Sequence, residues 1–560
     1  MKVLIVSLLR VGDTLLAFPL IESLRKSNPE IEIHLLCNKE SLILQPLMPF
    51  VRFHLFKRDE LQRGLGEYDR PFFDSYYLLK DLIEELNNQD FDRLINVTQN
   101  RLSAWLCGAL QAKEKAGLVL NRHGVASFGS PWFRYLNDYV AAGGKEIFHY
   151  SDIFCYGSGV HPVNRYTLAE SVEGRSEADR ILGAGDQVTI LIQCLTSDFK
   201  KNWKVESWAK TLYLLHIKRP EARILLLGAP FEEKQLLSIQ ENCWHRGVPV
   251  ELALCSFPGA YSLLCRADLL VTGDTSIKHL ASASDCPVVE LCIGSSDFRK
   301  TGTYRHNNVI IQSKESCAPC AHCEPCSQAA HRCGERVSAE LVAMVADKVL
   351  SREMWSLRTV AREFHDEAEV LVSRFSPSGY WLAEPVEKIS FFLQLKKWVE
   401  RSTWKMLLEK EHLQPIGEFG SEGRRLYDGI VEDSSRTKKE SLDSALAVLE
   451  KEARLTEKTV SHLLVQSRHL ASQTEGQRAF DEIMELLRDE CDRDDSGEVL
   501  LSYLSSLGSA HRDGLPDLTR LRQIKKLLEE IKYKSTIRIK LIRAMQSQSM
   551  ERYGRDYEKI

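Results

Sequence analysis

Short apolar segments alternate with amphipathic segments through the first 345 residues of the chain. Each apolar segment has the length of one buried strand, and hydrophobic residues recur every three or four positions in the segments between. This alternation predicts parallel β-strands joined by helices, the pattern of α/β domains. The predicted strands are residues 2–7, 32–36, 93–97, 188–193, 223–228, 269–272 and 288–291.

The strand pattern is interrupted between residues 157 and 185, where no apolar segment occurs. We therefore predict one α/β domain at residues 1–165 and a second at 175–345, with a cleft between them. Beyond about residue 350 the apolar spacing changes to threes and fours, which predicts an all-helical extension over 350–560. Its apolar seam comprises Leu442, Leu446, Leu449, Ala453, Val460, Leu463 and Leu470.

The composition is that of a globular protein too long for a single core. Hydrophobic residues make up 44% and charged residues 27% of its 560 positions, and the formal net charge of -4 predicts no nucleic-acid partner. The apolar start of the chain is broken by Arg10, Gly12 and Asp13, which argues against a signal peptide. Without an apolar stretch long enough to span a bilayer, the protein is expected to be cytoplasmic.

Residues 521–546 form a second helical pattern with many lysines and arginines. Such a basic face can bind an anionic membrane surface or an acidic protein partner. A solvated charged face explains the same residues. The helical extension is therefore expected to dock to the inner membrane, to a protein partner or to a second copy of the chain, or to remain solvated.

Polar residues follow three of the predicted strands at their carboxyl ends. Asp13 follows the first strand, Lys201 follows strand 188–193, and Glu232 follows strand 223–228. The carboxyl ends of parallel strands form the edge at which ligands bind in open α/β sheets. There a lysine can neutralise a diphosphate and a carboxylate can accept hydrogen bonds from a ribose, although Asp13 is equally suited to cap a helix.

A fourth segment, GDTSIKH, follows strand 269–272. Asp274 and Thr275 are suited to cap the next helix, with Lys278 and His279 in its opening turns. The unpaired N–H groups of a helix start can hold a phosphate. An ordinary turn between a strand and a helix explains these residues as well.

In order and spacing, these segments resemble glycosyltransferase family 9, the heptosyltransferases of lipopolysaccharide core assembly. The resemblance is carried by GDTLLAFPL, by Lys201-Asn202-Trp203, by GAPFEE and by GDTSIKHLASASDCPVVELCIGSSD. It covers residues 1–345 and implies a GT-B fold of two Rossmann-like domains. The first domain would bind the acceptor and the second the nucleotide sugar, with inversion at the anomeric carbon and no cofactor required for catalysis.

The family resemblance also implies a role for each candidate site residue. Asp13 would be the general base, Lys201 would stabilise the departing diphosphate, and Glu232 would hold the ribose. The remaining donor-binding candidates are Asp274, Thr275, Ser276, Lys278 and His279. Ser276 stands where the family usually has glycine, and Lys278 stands where it has a small residue, so Lys278 either adds a phosphate contact or obstructs one.

For the substrates, the resemblance implies a heptose or related sugar on a nucleoside diphosphate, with ADP-heptose as the expected donor. The expected acceptor is the lipopolysaccharide core or another glycan or glycolipid. Two alternatives stay open: a protein acceptor, and an inactive GT-B scaffold that carries the helical extension.

Cysteines cluster between residues 317 and 333, in CAPCAHCEPCSQAAHRC. Repeated C-x-x-C spacing is typical of a structural zinc site, and an iron–sulfur site is less favoured. Many members of the family carry a similar segment with no catalytic metal, so a metal-free segment is the alternative. The candidate ligands are Cys317, Cys320, Cys323, Cys326 and Cys333.

Overall fold

Two mainly parallel β-sheets form the framework of the protein in the computed structural model. The chain divides into two units, residues 1–133 with 148–388 and residues 134–147 with 389–560. Both sheets belong to the first unit. The structure describes residues 1–66, 72–140, 148–183, 185, 187–321, 325–328, 330–376, 379–387, 391–409, 444–451, 453, 454, 456–458, 460, 461, 529, 532–543, 545 and 546.

The first sheet has five parallel strands in the spatial order β3-β2-β1-β4-β5. Its central strand is buried at consecutive positions, as expected for a strand that is covered on both faces. A short hairpin of β6 and β7 follows this sheet. The strands are β1 Lys2–Ser7, β2 Glu32–Asn38, β3 Val51–Phe56, β4 Arg93–Asn96, β5 Glu114–Gly117, β6 Val119–Leu120 and β7 Ala126–Ser127.

The second sheet has eight strands in the order β10-β9-β8-β11-β12-β13-β14-β15. The strands from β10 to β13 are parallel, and β14 and β15 are antiparallel additions at one edge. They are β8 Thr189–Gln193, β9 Arg223–Gly228, β10 Val250–Leu254, β11 Leu269–Thr272, β12 Val288–Cys292, β13 Val309–Ser313, β14 Ala368–Phe375 and β15 Trp381–Pro385.

Helices connect the strands of both sheets, and serine side chains begin three of them. Ser171, Ser256 and Ser338 each accept a hydrogen bond from a backbone N–H in the first turn of α8, α11 and α15. The helices are α1 Val11–Leu16, α2 Phe18–Ser27, α3 Arg58–Gly66, α4 Phe72–Asn87, α5 Arg101–Ala109, α6 Pro131–Tyr135, α7 Tyr150–Gly157, α8 Val172–Leu182, α9 Val205–Lys218, α10 Glu233–Trp244, α11 Phe257–Leu264, α12 Ser276–Ala281, α13 Phe298–Thr301, α14 Arg332–Arg336, α15 Ala339–Leu350, α16 Leu357–Glu363 and α17 Phe391–Glu409.

The predicted fold class, a GT-B pair of Rossmann-like α/β domains followed by helices, is confirmed, with one local correction. Residues 368–375 and 381–385 lie in the stretch predicted as helical, but they form β14 and β15. Strand β14 pairs with β13 and so covers an edge that would otherwise leave its backbone groups unpaired. The predicted domain limits at 165, 175, 345 and 350 stay predictions.

In the second unit, the described helical residues confirm part of the predicted seam. Leu446 and Leu449 are buried together with Leu395 and Val399 of α17, and Leu541 and Ile542 join the same cluster. Leu442, Leu463 and Leu470 lie outside the described residues.

Cations of the predicted basic face pair with carboxylates in the described helices. Lys534 and Arg538 both contact Glu400, and Arg543 contacts Glu450 at 3.0 Å. Three of the basic side chains predicted to bind a membrane surface or an acidic partner are thus already paired within the described helices. None of the described helices is both long and apolar enough to cross a bilayer.

Candidate active site

A chain of four alternating charges lies at the carboxyl edge of the second sheet. Lys201 Nζ donates to Asp274 Oδ2 at 2.6 Å, and Lys278 Nζ donates to Asp274 Oδ1 at 2.5 Å. The same Lys278 ammonium donates to Glu290 Oε1 at 2.8 Å. Three adjacent strands position these groups: Lys201 follows β8, Asp274 follows β11, and Glu290 lies within β12.

The exposure of these side chains increases from the core towards the sheet edge. The side chains of Lys278 and Glu290 are fully buried, that of Asp274 is 9% exposed, and that of Lys201 is 14% exposed. Among the four charges, Lys201 is therefore the one with most access to a ligand.

The two lysines set the charge state of Asp274. Burial alone would raise the pKa of this carboxyl, but the Lys278 and Lys201 ammonium groups outweigh it and hold the pKa below its usual range. Burial likewise would lower the pKa of Lys278, and the carboxylates of Asp274 and Glu290 raise it instead. Asp274 is thus an anion and Lys278 a cation throughout the physiological range.

Asp274 and Thr275 do not cap α12, contrary to the sequence prediction. Thr275 occupies the N-cap position without a side-chain hydrogen bond to the helix. Its hydroxyl instead lies 3.4 Å from that of Thr272, and Ser276 is the first residue of the helix. Asp274 precedes the N-cap position by one residue, and its two oxygens accept from the ammonium groups of Lys201 and Lys278.

Asp13 lies on α1, which packs directly against α12. Its Oδ2 accepts a hydrogen bond from the Arg10 N–H at 3.1 Å, so it does cap its own helix. Burial is the main cause of a raised pKa at Asp13, and the charges of Asp274 and Lys201 also act on it, the first raising and the second lowering the pKa. A raised pKa suits a carboxylate that must accept a proton.

His279 of α12 is buried beside α1 and stays uncharged. Burial, reinforced by the charge of Lys278, lowers its pKa well below the usual range. Burial also lowers the pKa of the neighbouring His149 to about 3, with the Lys278 charge acting in the same direction. His149 Nε2 lies 2.9 Å from the Gly302 carbonyl oxygen. Both imidazoles are therefore uncharged, and the N–H of His149 is donated to Gly302 because its Nδ1 accepts the Ser151 N–H at 3.1 Å.

Glu232 lies apart from the charge chain, after β9. Its Oε2 accepts a hydrogen bond from the Ala229 N–H at 2.8 Å, and the side chain is half-buried. The structure thus provides a local role for this carboxylate in shaping its turn. Its predicted ribose contact stays a prediction.

The cysteine-rich segment packs against the loop that bears Lys201. The Lys200 ammonium donates to the Ala321 carbonyl at 2.8 Å, and His331 Nε2 lies 2.7 Å from the Lys200 carbonyl oxygen. Gly294 donates its N–H to the buried Cys333 Sγ at 3.3 Å. The segment therefore supports the loop through backbone and side-chain contacts.

The described residues show no group of three or more metal-ligating side chains close enough to hold a metal ion. Cys317, Cys320, Cys326 and Cys333 are free thiols. Cys323 lies outside the described residues, so the full predicted ligand set is not described. A structural zinc stays a prediction.

Sequence reasoning missed Glu290 and Tyr150. A glutamate inside the apolar strand VVELC is a signal for Glu290, because a buried carboxylate needs a partner. Tyr150 begins α7, and burial together with the charges of Asp297 and Asp13 raises its pKa. That tyrosine has no comparable signal in the sequence.

Comparisons with known proteins give one family match and two curated relatives. Residues 79–331 match the model of glycosyltransferase family 9 (heptosyltransferase). Lipopolysaccharide heptosyltransferase 3 of Escherichia coli is 24% identical over 294 residues, which are 51% of this chain and 81% of that protein. The corresponding protein of strain K12 is 23% identical over 296 residues, 51% of this chain and 80% of that protein.

Solved structures similar to this chain include the glycosyl transferase family 9 protein of Veillonella parvula. Its TM-score is 0.48 at 17% identity, and the match covers 63% of this chain and 97% of that one. ADP-heptose lps heptosyltransferase II of E. coli gives a TM-score of 0.45 at 14% identity, covering 63% and 99%.

The parallel sheets and the family match define the class: the chain is a glycosyltransferase of the GT-B type. More narrowly, it is heptosyltransferase-like, since residues 79–331 match the model of glycosyltransferase family 9 (heptosyltransferase).

Proposed function

We propose that this chain is an inverting glycosyltransferase that moves a heptose or related sugar from ADP-heptose to a lipopolysaccharide-core or other glycan acceptor. The observation that carries the proposal is the proximity of Asp13 to the Lys201–Asp274 pair, because transfer needs a base and a cation at one site. The relatives named lipopolysaccharide heptosyltransferase 3 support heptose as the sugar and lipopolysaccharide as the acceptor.

In the proposed reaction, an acceptor hydroxyl oxygen attacks the anomeric carbon of the donor sugar. The new glycosidic C–O bond forms as the bond from the anomeric carbon to the β-phosphate oxygen breaks, which inverts the configuration. Asp13 takes the proton of the attacking hydroxyl, and its raised pKa favours that step. Positioned base catalysis of this kind contributes roughly 10²–10⁴-fold in rate.

Lys201 is the proposed partner of the departing diphosphate. Its ammonium is fixed by Asp274 and is the most exposed member of the charge chain, so the developing negative charge meets a preorganised cation. Thr275 and Ser276 would contact the donor phosphates from the start of α12. His279 would offer an uncharged N–H to the sugar, and Glu232 would accept hydrogen bonds from the ribose.

A transfer assay with radiolabelled ADP-heptose tests the proposal. The purified chain is incubated with lipopolysaccharide that lacks core heptose, and lipid and protein fractions are counted separately. Label in the lipid fraction that Asp13→Asn abolishes supports the proposal. Label in the protein fraction alone would replace the glycan acceptor by a protein acceptor, and no label in either would favour the scaffold alternative.

A further inference from the structure

The buried part of the charge chain contains two residues that have no direct access to a ligand. Lys278 and Glu290 are both fully buried. The two side chains pair with each other, and the burial of an unpaired charge would be strongly unfavourable. Apolar side chains would fill the space behind Asp274 without the cost of burying charged groups, so packing alone does not explain why Lys278 and Glu290 are present there.

Glu290 is fixed by donors on both of its oxygens. Its Oε1 accepts from Lys278 Nζ at 2.8 Å and from the Cys292 thiol at 3.3 Å. Its Oε2 accepts from the N–H and from the hydroxyl of Thr303, each at 2.9 Å. Glu290 is thus a rigid anchor for the Lys278 ammonium.

Lys278 in turn fixes Asp274 and compensates its charge. The Lys278 ammonium occupies Oδ1 of Asp274 and leaves Oδ2 to Lys201. Without Lys278, both carboxylate oxygens of Asp274 would be free to bind Lys201. The negative charge of Asp274 would then neutralise more of the positive charge of Lys201. An anion that binds Lys201 would then compete with an uncompensated carboxylate.

We propose that Lys278 is a positioning residue that holds Asp274 in place and thereby keeps the positive charge of Lys201 available to the donor's diphosphate, with Glu290 as the carboxylate that pairs with the buried Lys278 ammonium. This inference rests on the proposed function, since it assumes that the ligand is a nucleoside diphosphate. It gives Lys278 an indirect role, whereas the sequence left open whether Lys278 adds a phosphate contact or obstructs one.

The proposal predicts that removing each of the two buried charges has a different effect on ADP affinity. Lys278→Met removes a positive charge behind Asp274 and should weaken ADP binding by about tenfold. Glu290→Gln removes a negative charge but keeps an oxygen that can accept from Lys278, so it should leave ADP binding unchanged or tighter. A role in packing alone would weaken binding in both variants, because each leaves a buried partner unpaired.

Calorimetric titration with ADP tests this prediction, with circular dichroism to verify folding. The double variant Lys278→Met/Glu290→Gln keeps the comparison possible if Lys278→Met does not fold. It should bind ADP about tenfold more weakly than Glu290→Gln alone. Lys210→Met is the matched control, since Lys210 forms an exposed pair with Glu340 at 2.6 Å and should leave affinity unchanged.

Two results would overturn the proposal while leaving the proposed function intact. One is an ADP affinity of Lys278→Met equal to that of the wild type. If Lys278→Met does not fold, the corresponding result is an ADP affinity of the double variant equal to that of Glu290→Gln. The other is equal weakening by Lys278→Met and Glu290→Gln. If the wild-type chain itself binds no ADP, the proposed function fails, and this inference fails with it.

Discussion

Gly12 of α1 lies directly against His279 of α12. A Cβ atom at position 12 would come within 3.1 Å of the His279 Cδ2 atom. Because α1 follows a strand of the first sheet and α12 a strand of the second, this close approach brings Asp13 to the charge chain of the second sheet.

Gly12→Ala is expected to lower turnover more than stability. The added methyl group must displace His279 or α1 by a few tenths of an ångström, which moves Asp13, whereas alanine favours the helix by up to about 1 kcal/mol over glycine. Steady-state kinetics and thermal unfolding together measure the two effects. Gly185→Ala, at a position with open space around the Cβ, is the control. A variant with wild-type turnover would show that this contact does not position Asp13.

Asp13→Asn should reduce kcat by roughly 10²–10⁴-fold while ADP affinity changes by less than about threefold. The amide preserves the shape of the side chain and an acceptor for the Arg10 N–H but cannot take a proton. Asp81→Asn, an exposed change on α4, should have no effect. Retained turnover in Asp13→Asn would exclude Asp13 as the base.

The pH dependence of kcat/KM should also show that Asp13 acts as the base. Burial raises the pKa of Asp13 above 3.8, so kcat/KM should fall as the pH decreases through that raised value. The acidic limb of the profile, measured with the wild type and with Asp81→Asn, should lie above pH 3.8 in both. A profile without an acidic limb above this value would contradict the assignment of Asp13.

His149 should make folding stability sensitive to acid. Its folded pKa is lowered to about 3 from an ordinary value of 6.5, so its contribution is complete above pH 6.5. As the pH falls below 6.5 the unfolded chain binds a proton that the folded chain excludes, and stability decreases by up to roughly 1.4 kcal/mol per pH unit. Denaturant unfolding at several pH values should show a shallower slope for His149→Asn. Equal slopes would show that His149 is protonated in the folded protein.

Tyr304→Phe should destabilise the first unit by about 1–3 kcal/mol, the cost of removing a donor from a buried acceptor. The Tyr304 hydroxyl donates to Asp152 Oδ1 at 2.5 Å, and both residues are buried. Urea unfolding measures the change, with the exposed Tyr213→Phe as control. A difference below about 0.5 kcal/mol between these variants would show that another donor replaces the hydroxyl.

Much of the framework could be predicted from sequence because it depends on local patterns. Each predicted strand from 2–7 to 288–291 overlaps an observed strand, since a buried parallel strand is a continuous apolar run. The proximity of Lys201 and Asp274 could also be expected, because both follow parallel strands whose carboxyl ends share one edge.

The remaining features depend on contacts between distant segments. The capping prediction for Asp274 was wrong. Although the proximity of Asp274 and Lys201 could be expected, the hydrogen bond between them could not be foreseen, because the two residues are 73 positions apart in the sequence. The pairing of Lys278 with Glu290 joins α12 to β12 and requires the folded sheet. Strand β14 could not be distinguished from a helix because its pairing with β13 is a tertiary property.

The proposed role of Lys201 in binding the donor's diphosphate is tested most directly by calorimetric titration of the purified protein with ADP, UDP and GDP. The titration is repeated on Lys201→Ala. Lys204→Ala is the matched control, because Lys204 lies on the same loop but pairs with Glu335 at 53% exposure. ADP should bind in preference to the other nucleotides, and its affinity should fall by about tenfold or more in Lys201→Ala but not in Lys204→Ala. Equal affinity of the wild type and Lys201→Ala for ADP, or no binding of any nucleotide, would contradict this role of Lys201.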